Sequence, residues 1–309
     1  MTGRAESSPP RRSDDEPVFL LTDNGSVRPA SALALREAAA DLARRTGETV
    51  EAVSLAHCDR IDPADLGGTP APTLLDRLTG PEQHSRRPFV VLPFFLGNRG
   101  AIVRMVEARI EKARSIRPAV SVRLAPFLFE EDGPEQEVLA LAAADRIRDR
   151  IAEGSLARPV VVLVDHGSPV PVAARVRNFV AGQVQAILRD EVHCVIPASM
   201  ERRAGGRYAF SDPLLEEVLR RPALRERPVV LSLFFLLPGR HAGEGGDVAA
   251  IRDEAVAEAA PPTLRISTTG LLGDHPLVRE ALCRRIRRES APVLTSRKGF
   301  SKIARACLP

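Results

Sequence analysis

The run Val160–Val164 is followed at once by Asp165-His166-Gly167-Ser168, and no other stretch restricts the fold as much. Five consecutive apolar, mostly β-branched residues make a strand buried on both faces. The glycine just past its end marks a sharp turn, and an amphipathic helix pattern opens near Val172. The same unit stands earlier, at Val18–Pro29, as V-F-L-L-T-D-N-G-S-V-R-P. From Asp23 to Asp165 the offset is 142 residues, and Asn24 takes the place of His166. One chain thus carries two copies of a strand–turn–helix design, and the imidazole is kept in the second alone.

Further anchors repeat at nearly the same offset. Ala56-His57-Cys58-Asp59-Arg60 answers to Ala198-Ser199-Met200-Glu201-Arg202, Phe94-Phe95-Leu96 to Phe234-Phe235-Leu236, and Asp132-Gly133-Pro134 to Asp274-His275-Pro276. Such self-similarity predicts a duplicated fold whose halves face each other about a pseudo-two-fold axis. In the first half strands are predicted at 17–22, 50–56, 89–96 and 120–124, with helices at 30–45, 73–78, 101–114 and 134–152. The second half reads as strands at 160–164, 192–198, 229–236 and 263–267, with helices at 172–188, 213–220, 244–259 and 276–288. Strand–helix alternation with continuous apolar strands gives an α/β class: two duplicated, doubly wound lobes, each on a mainly parallel four-stranded sheet. The lobes are expected at 17–153 and 154–292, between a polar Pro/Ser-rich tail at 1–16 and a basic extension at 293–309.

Composition removes several function classes. With no Trp and one Tyr, stacking platforms for single-stranded nucleic acid are scarce, and no nucleic-acid partner is expected. The net charge of +4 comes from basic residues scattered along helices, as on solvated faces. Cys58, Cys194, Cys283 and Cys307 form no C-x-x-C pair, so reduced thiols fit better than a cysteine metal site. The start of the chain lacks the apolar core of a signal peptide, and no apolar run reaches the roughly 18 residues of a membrane span. A cytoplasmic protein is expected.

In an open α/β sheet the ligand site lies beyond the carboxyl ends of the strands, where the strand order switches, here between the first and third strands of a lobe. The first strand of the second lobe ends in His166. The third ends in P-G-R-H-A-G-E, with His241 and Glu244. Two imidazoles and a carboxylate converging there suit a divalent first-row metal, and histidine also suits proton removal near neutral pH. The first lobe reads Asn24 opposite His166 and Gly100 or Ala101 opposite His241, so it is expected to be a retained wall of the cleft. Ser168 reads as a turn cap rather than a nucleophile, because no G-x-S-x-G elbow exists. The glycines of G-R-H-A-G-E-G-G lack the G-K-[ST] ending of a phosphate cradle. His275, ahead of a helix, reads as structural.

The motifs D-H-G-S, F-F-L-L-P-G-R-H-A-G-E and L-G-D-H-P-L resemble those of the sirohydrochlorin cobalt- and ferrochelatases, the class II tetrapyrrole chelatases. The loop A-S-M-E-R-R-A-G-G-R-Y-A-F-S-D-P-L-L-E resembles that of their two-lobed members, and the likeness spans about Pro17 to Arg288. It implies that His166, His241 and Glu244 bind metal and act in catalysis. Asp247 has no assigned role, since Gly245-Gly246 separates it from Glu244. The implied activity is ATP-independent insertion of a divalent ion, Fe²⁺ before Co²⁺, with Ni²⁺ also suited to the ligands. The implied pathway is sirohaem or cobalamin synthesis. The metal is a substrate, and no permanently bound cofactor is expected. The carboxylate-rimmed macrocycle would meet Ser168, Arg202, Arg203, Arg207 and Arg240. A monomer is expected, because duplication stands in for a homodimer. The alternative is a non-catalytic metal or tetrapyrrole carrier on the same scaffold.

Overall fold

The computed structural model describes residues 16–80, 87–97, 101–129, 133, 135–259, 261 and 264–291. The basic extension, nearly all of the tail, His84, Cys307, Gly100 and the Asp132 and Pro134 of one repeat anchor lie outside them. The first half runs β1 (Val18–Asp23), α1 (Pro29–Thr46), β2 (Thr49–Ser54), α2 (Leu74–Thr79), β3 (Phe89–Pro93), α3 (Ala101–Ile116), β4 (Val122–Leu124) and α4 (Val138–Gly154). The second repeats the order: β5 (Val160–Asp165), α5 (Pro171–Ile187), β6 (Cys194–Ser199), α6 (Leu215–Leu219), β7 (Val229–Leu233), α7 (Asp247–Glu258), β8 (Ile266–Thr268) and α8 (Pro276–Ser290).

The strands form two all-parallel sheets of four, in the orders β2-β1-β3-β4 and β6-β5-β7-β8. The predicted α/β, doubly wound class is therefore what the chain adopts. The central strands β1, β3, β5 and β7 are buried along almost their whole length, as their unbroken apolar runs require. Each aliphatic side chain removed from water there contributes about 1.5–3 kcal/mol. Helix starts follow local chemistry. Pro29, Pro171 and Pro276 open α1, α5 and α8, where a missing N–H costs nothing. Thr73 and Asp76 make a capping box on α2. His275 is structural: its Nδ1 accepts the Leu277 N–H at 3.3 Å and so caps α8.

Each half gives its last helix to the other half. Helix α4 packs on α5 and β7 of the second sheet, while α8 packs on α1 of the first. Arg285 of α8 donates to the Pro126 and Leu128 carbonyls just past β4, and pairs with Glu135 at 2.9 Å. Reciprocally, Arg148 of α4 reaches Glu191 at 2.8 Å and Arg146 reaches Asp274 at 2.7 Å. The largest core cluster accordingly mixes residues of both halves, among them Leu21, Leu35, Ile147, Leu163, Val184 and Ile286. The sheets are clamped together rather than hinged on one linker.

Two expectations shift. The second β-strand of each lobe aligns through Ser54 opposite Asp23 and Ser199 opposite Asp165, so Ala56 answers to Glu201 and not to Ala198. The sequence match was misplaced by a longer turn in the second lobe. Helix α7 begins at Asp247 rather than Glu244, because backbone bonds from Gly243 N to Gly239 O and from Gly246 N to Gly243 O close a turn ahead of it.

Candidate active site

The site is set by the order of the second sheet. β5 and β7 are neighbours, and their connections leave on the same edge. His166 follows β5 directly, and His241 lies in the 234–246 connection after β7. Their rings face each other with centroids 4.3 Å apart at an interplanar angle of 51°. The side chains are 45% and 32% exposed, so both rings open to solvent rather than into the apolar core. In the first lobe the corresponding connection is shorter, residues 94–100, and Asn24 is exposed at the end of β1.

The His166 turn is bound to the loop after β6. Gly167 has φ +89°, and a Cβ there would stand 1.9 Å from the Glu201 carbonyl oxygen, so only glycine fits. Met200 N–H donates to the Asp165 carbonyl and Glu201 N–H to the His166 carbonyl. This zipper brings Glu201 Oε1 to 3.3 Å from His166 Nε2. His166 Nδ1 lies 2.9 Å from the Gly167 carbonyl oxygen, so with Glu201 on Nε2 each ring nitrogen has an acceptor beside it. His241 is held through Nδ1, 2.7 Å from Asp247 Oδ2. Asp247 on Nδ1 leaves His241 Nε2 open, the arrangement that orients histidine for a metal, whereas Glu201 shares the Nε2 side of His166.

Glu244 does not join the pair. Among the described residues no group of three His, Cys, Asp or Glu side chains converges as a metal site. Glu244 instead lines a cavity of about 240 Å³ with His241, Arg252 and Thr268 against the apolar face of β7 and α7. The turn ahead of α7 accounts for this, since it carries Glu244 off and presents Asp247 to the imidazole. Asp247 and Glu201 were legible only as members of longer motifs; their contact with histidine depends on backbone hydrogen bonds between loops.

The arginines divide. Arg202 Nε is tied to Asp212 at 2.6 Å and serves the loop itself. Arg203 and Arg207 are exposed, the latter with its guanidinium 4.8 Å over the Tyr208 ring. Arg240 is 73% exposed and 3.5 Å from Asp247. Ser168 Oγ accepts the Val170 N–H at 3.1 Å, a turn cap as expected. Sequence reasoning missed Arg177, which is fully buried on α5 and bonded to Asp165. The signal was available: Arg177 falls on the apolar stripe formed by Ala174, Val180, Ala181 and Val184. Burial pushes the Asp165 carboxyl up, against the pull of Arg177.

This geometry coincides with a family. The CbiX family matches residues 160–289, the whole second sheet with the helices between its strands and α8. The C-terminal lobe is similar to the CbiX family. The sirohydrochlorin-chelatase resemblance of the motifs is thereby borne out. SirB from Bacillus subtilis, solved with Fe³⁺, superposes on 89% of this chain and 96% of its own with a TM-score of 0.60 at 17% identity. DR2241 from Deinococcus radiodurans, described as a multi-domain protein with structural similarity to chelatases, superposes with a TM-score of 0.57 at 19% identity. That match covers 88% of this chain but 55% of DR2241. At such identities the two structures establish the fold, which extends over the first lobe as well as the CbiX lobe. No curated protein matches in sequence. Among the described residues no helix is long and apolar enough to cross a membrane.

Proposed function

We propose that the chain inserts a divalent metal ion into sirohydrochlorin, without ATP, at the CbiX lobe. Family and fold support chelatase-type metal insertion as the reaction. The observation that carries the reading is the pair of facing imidazoles, each with Nδ1 engaged and a carboxylate at hand. Two imidazoles accept Fe²⁺ and Co²⁺ alike; the order Fe²⁺ before Co²⁺, for sirohaem or cobalamin synthesis, rests on the family resemblance.

The chemistry is an exchange. The ion rests between the imidazoles of His166 and His241, with Glu201 on the Nε2 side of His166, an incomplete shell from which it can leave. As it enters the macrocycle, two pyrrolic N–H protons must depart, and a nitrogen that has released the ion can take a proton. Two neutral imidazoles thus trade one dication for two protons, and charge balances without a further reactant. Glu201 stands beside the His166 ring and Asp247 beside the His241 ring to stabilise the imidazolium ions. Glu244 supplies a third carboxylate in the cavity beside His241. Arg203, Arg207 and Arg240 orient the macrocycle carboxylates, with Ser168 and Arg202 shaping the loops that present them. Duplication provides both walls of the cleft, so a monomer suffices.

An absorbance assay with sirohydrochlorin and Fe²⁺, Co²⁺ or Ni²⁺ tests the reading. Spectral conversion over many turnovers per enzyme is expected. Stoichiometric binding without turnover would make the protein a carrier.

A further inference from the structure

Arg177 takes no part in the exchange described above, yet its side chain is fully buried behind the site. Its Nη1 donates to Asp165 Oδ1 at 3.4 Å, to the Ser211 carbonyl at 3.1 Å and to Ser199 Oγ, and its Nε donates to Asn178 Oδ1 at 3.0 Å. Three of these partners lie on separate segments of the site. Asp165 ends β5, and its Oδ1 also accepts the Gly167 N–H at 3.1 Å, so it shapes the turn that carries His166. Ser199 ends β6. Ser211 closes the loop bearing Arg202, Arg203 and Arg207, and its Oγ donates to the Ser168 carbonyl at 3.3 Å.

The fold does not require this guanidinium. At the corresponding position of α1, six residues past the opening proline, the first lobe has Leu35, also buried. There Asp23 accepts from Ser54 at 2.5 Å, and β1 still pairs with β2 and β3 in the same parallel register. Burying a cation costs several kcal/mol before its partners repay it, and an apolar residue of similar volume often serves stability as well. The guanidinium is present in the lobe that has the histidines and absent in the lobe that lacks them.

We propose that Arg177 is a positioning residue that ties the His166 turn to the arginine-bearing loop, so that seating the macrocycle carboxylates on that loop holds the imidazole in register with the ring. The proposal rests on the chelatase reading for its substrate but not for its link to His166. Arg177→Met and Arg177→Lys are compared with the wild-type chain by thermal melting, by steady-state conversion of sirohydrochlorin with Co²⁺, and by the visible d–d band of Co²⁺ bound to the protein alone. The methionine variant is expected to fold, to lose about 100-fold in kcat, the scale of a small misplacement of a reacting group, and to show an altered Co²⁺ band. Lysine, which can still reach Asp165, is expected to recover most of kcat. An unchanged kcat and an unchanged band in folded Arg177→Met would overturn the proposal. Should Arg177→Met fail to fold, Ser199→Ala removes one of the same bonds with little loss of core volume. A lowered kcat with an altered band then supports the tie, and wild-type values overturn it. An inactive wild-type chain would sink the chelatase reading, while the Co²⁺ bands would still decide whether Arg177 positions His166.

Discussion

At the ends of β1 and β5 the two lobes share a backbone and differ in chemistry. Both strands end in an aspartate facing a serine on the next strand, the buried Asp23 with Ser54 and the half-buried Asp165 with Ser199. Both continue into a left-handed glycine jammed against a carbonyl: a Cβ on Gly25 would meet the Ala56 oxygen at 1.8 Å, and one on Gly167 the Glu201 oxygen at 1.9 Å. Around that common frame Asn24 stands for His166, Ala56 for Glu201 and Leu35 for Arg177. The frame belongs to the fold, because both lobes keep it. The imidazole, the carboxylate beside it and the cation behind it belong to the site, because one lobe manages without all three.

The sharpest way to break this comparison is to remove an imidazole. His241→Ala and His166→Ala are each expected to lower kcat/KM for metal insertion by about 10²- to 10⁴-fold, the range for a lost proton-transfer group. Asn24→Ala is expected to leave it unchanged, since among the described residues no ring faces it as His241 faces His166. Equal losses from Asn24→Ala, read in the same absorbance assay, would give both lobes a share in the chemistry. The partner carboxylates come next. Glu201→Gln and Asp247→Asn keep shape and remove charge, and about 10- to 100-fold in activity is expected from each. Wild-type rates in both would reduce those carboxylates to loop anchors.

Much of this was legible in the sequence, for particular reasons. Val160–Val164 and Phe89–Leu92 announce buried parallel strands, and the prolines at 29, 171 and 276 announce helix starts, because each effect is local. His166 and His241 could be brought together from strand order alone. Glu201 and Asp247 could not, because two backbone bonds to the His166 turn and a glycine turn ahead of α7 decide which carboxylate reaches which ring. Glu244 was favoured by its spacing from His241, and it lines a cavity beside that ring rather than joining a three-ligand cluster among the described residues. The exchange of α4 and α8 between sheets was equally hidden, since a helix of apolar periodicity does not declare which sheet it covers.

The shared glycines probe the frame itself. Gly25→Ala and Gly167→Ala each force a Cβ into a carbonyl oxygen at positive φ, so both are expected to lower the melting temperature. Gly167→Ala alone should also abolish activity, because it displaces Glu201 and His166 together. A loss of activity from Gly25→Ala in protein that is still folded would contradict the division between frame and site.

The last comparison concerns the strand-end aspartates, whose effect should differ in sign between the lobes. Burial without a neighbouring cation pushes the Asp23 carboxyl up to about 6, only partly offset by the hydrogen bond from Ser54. In the unfolded chain an aspartate titrates near 3.9. Between those values the folded protein holds a proton that the unfolded chain has released, so stability falls as pH rises through this window. At about 1.36 kcal/mol per pKa unit the loss is on the order of 3 kcal/mol above pH 6. Asp23→Asn keeps an oxygen to accept from Ser54 and has no proton to release. Its stability relative to wild type should therefore be near zero at pH 4 and rise to that gain by pH 7.5, as read from denaturant midpoints across the range. Asp165→Asn should be destabilising at pH 7.5 instead, because it leaves the fully buried Arg177 without its carboxylate, a loss of about 3–5 kcal/mol for a broken buried pair. If both variants gain stability at pH 7.5, Arg177 is not held by Asp165, and the difference between the lobes is not electrostatic.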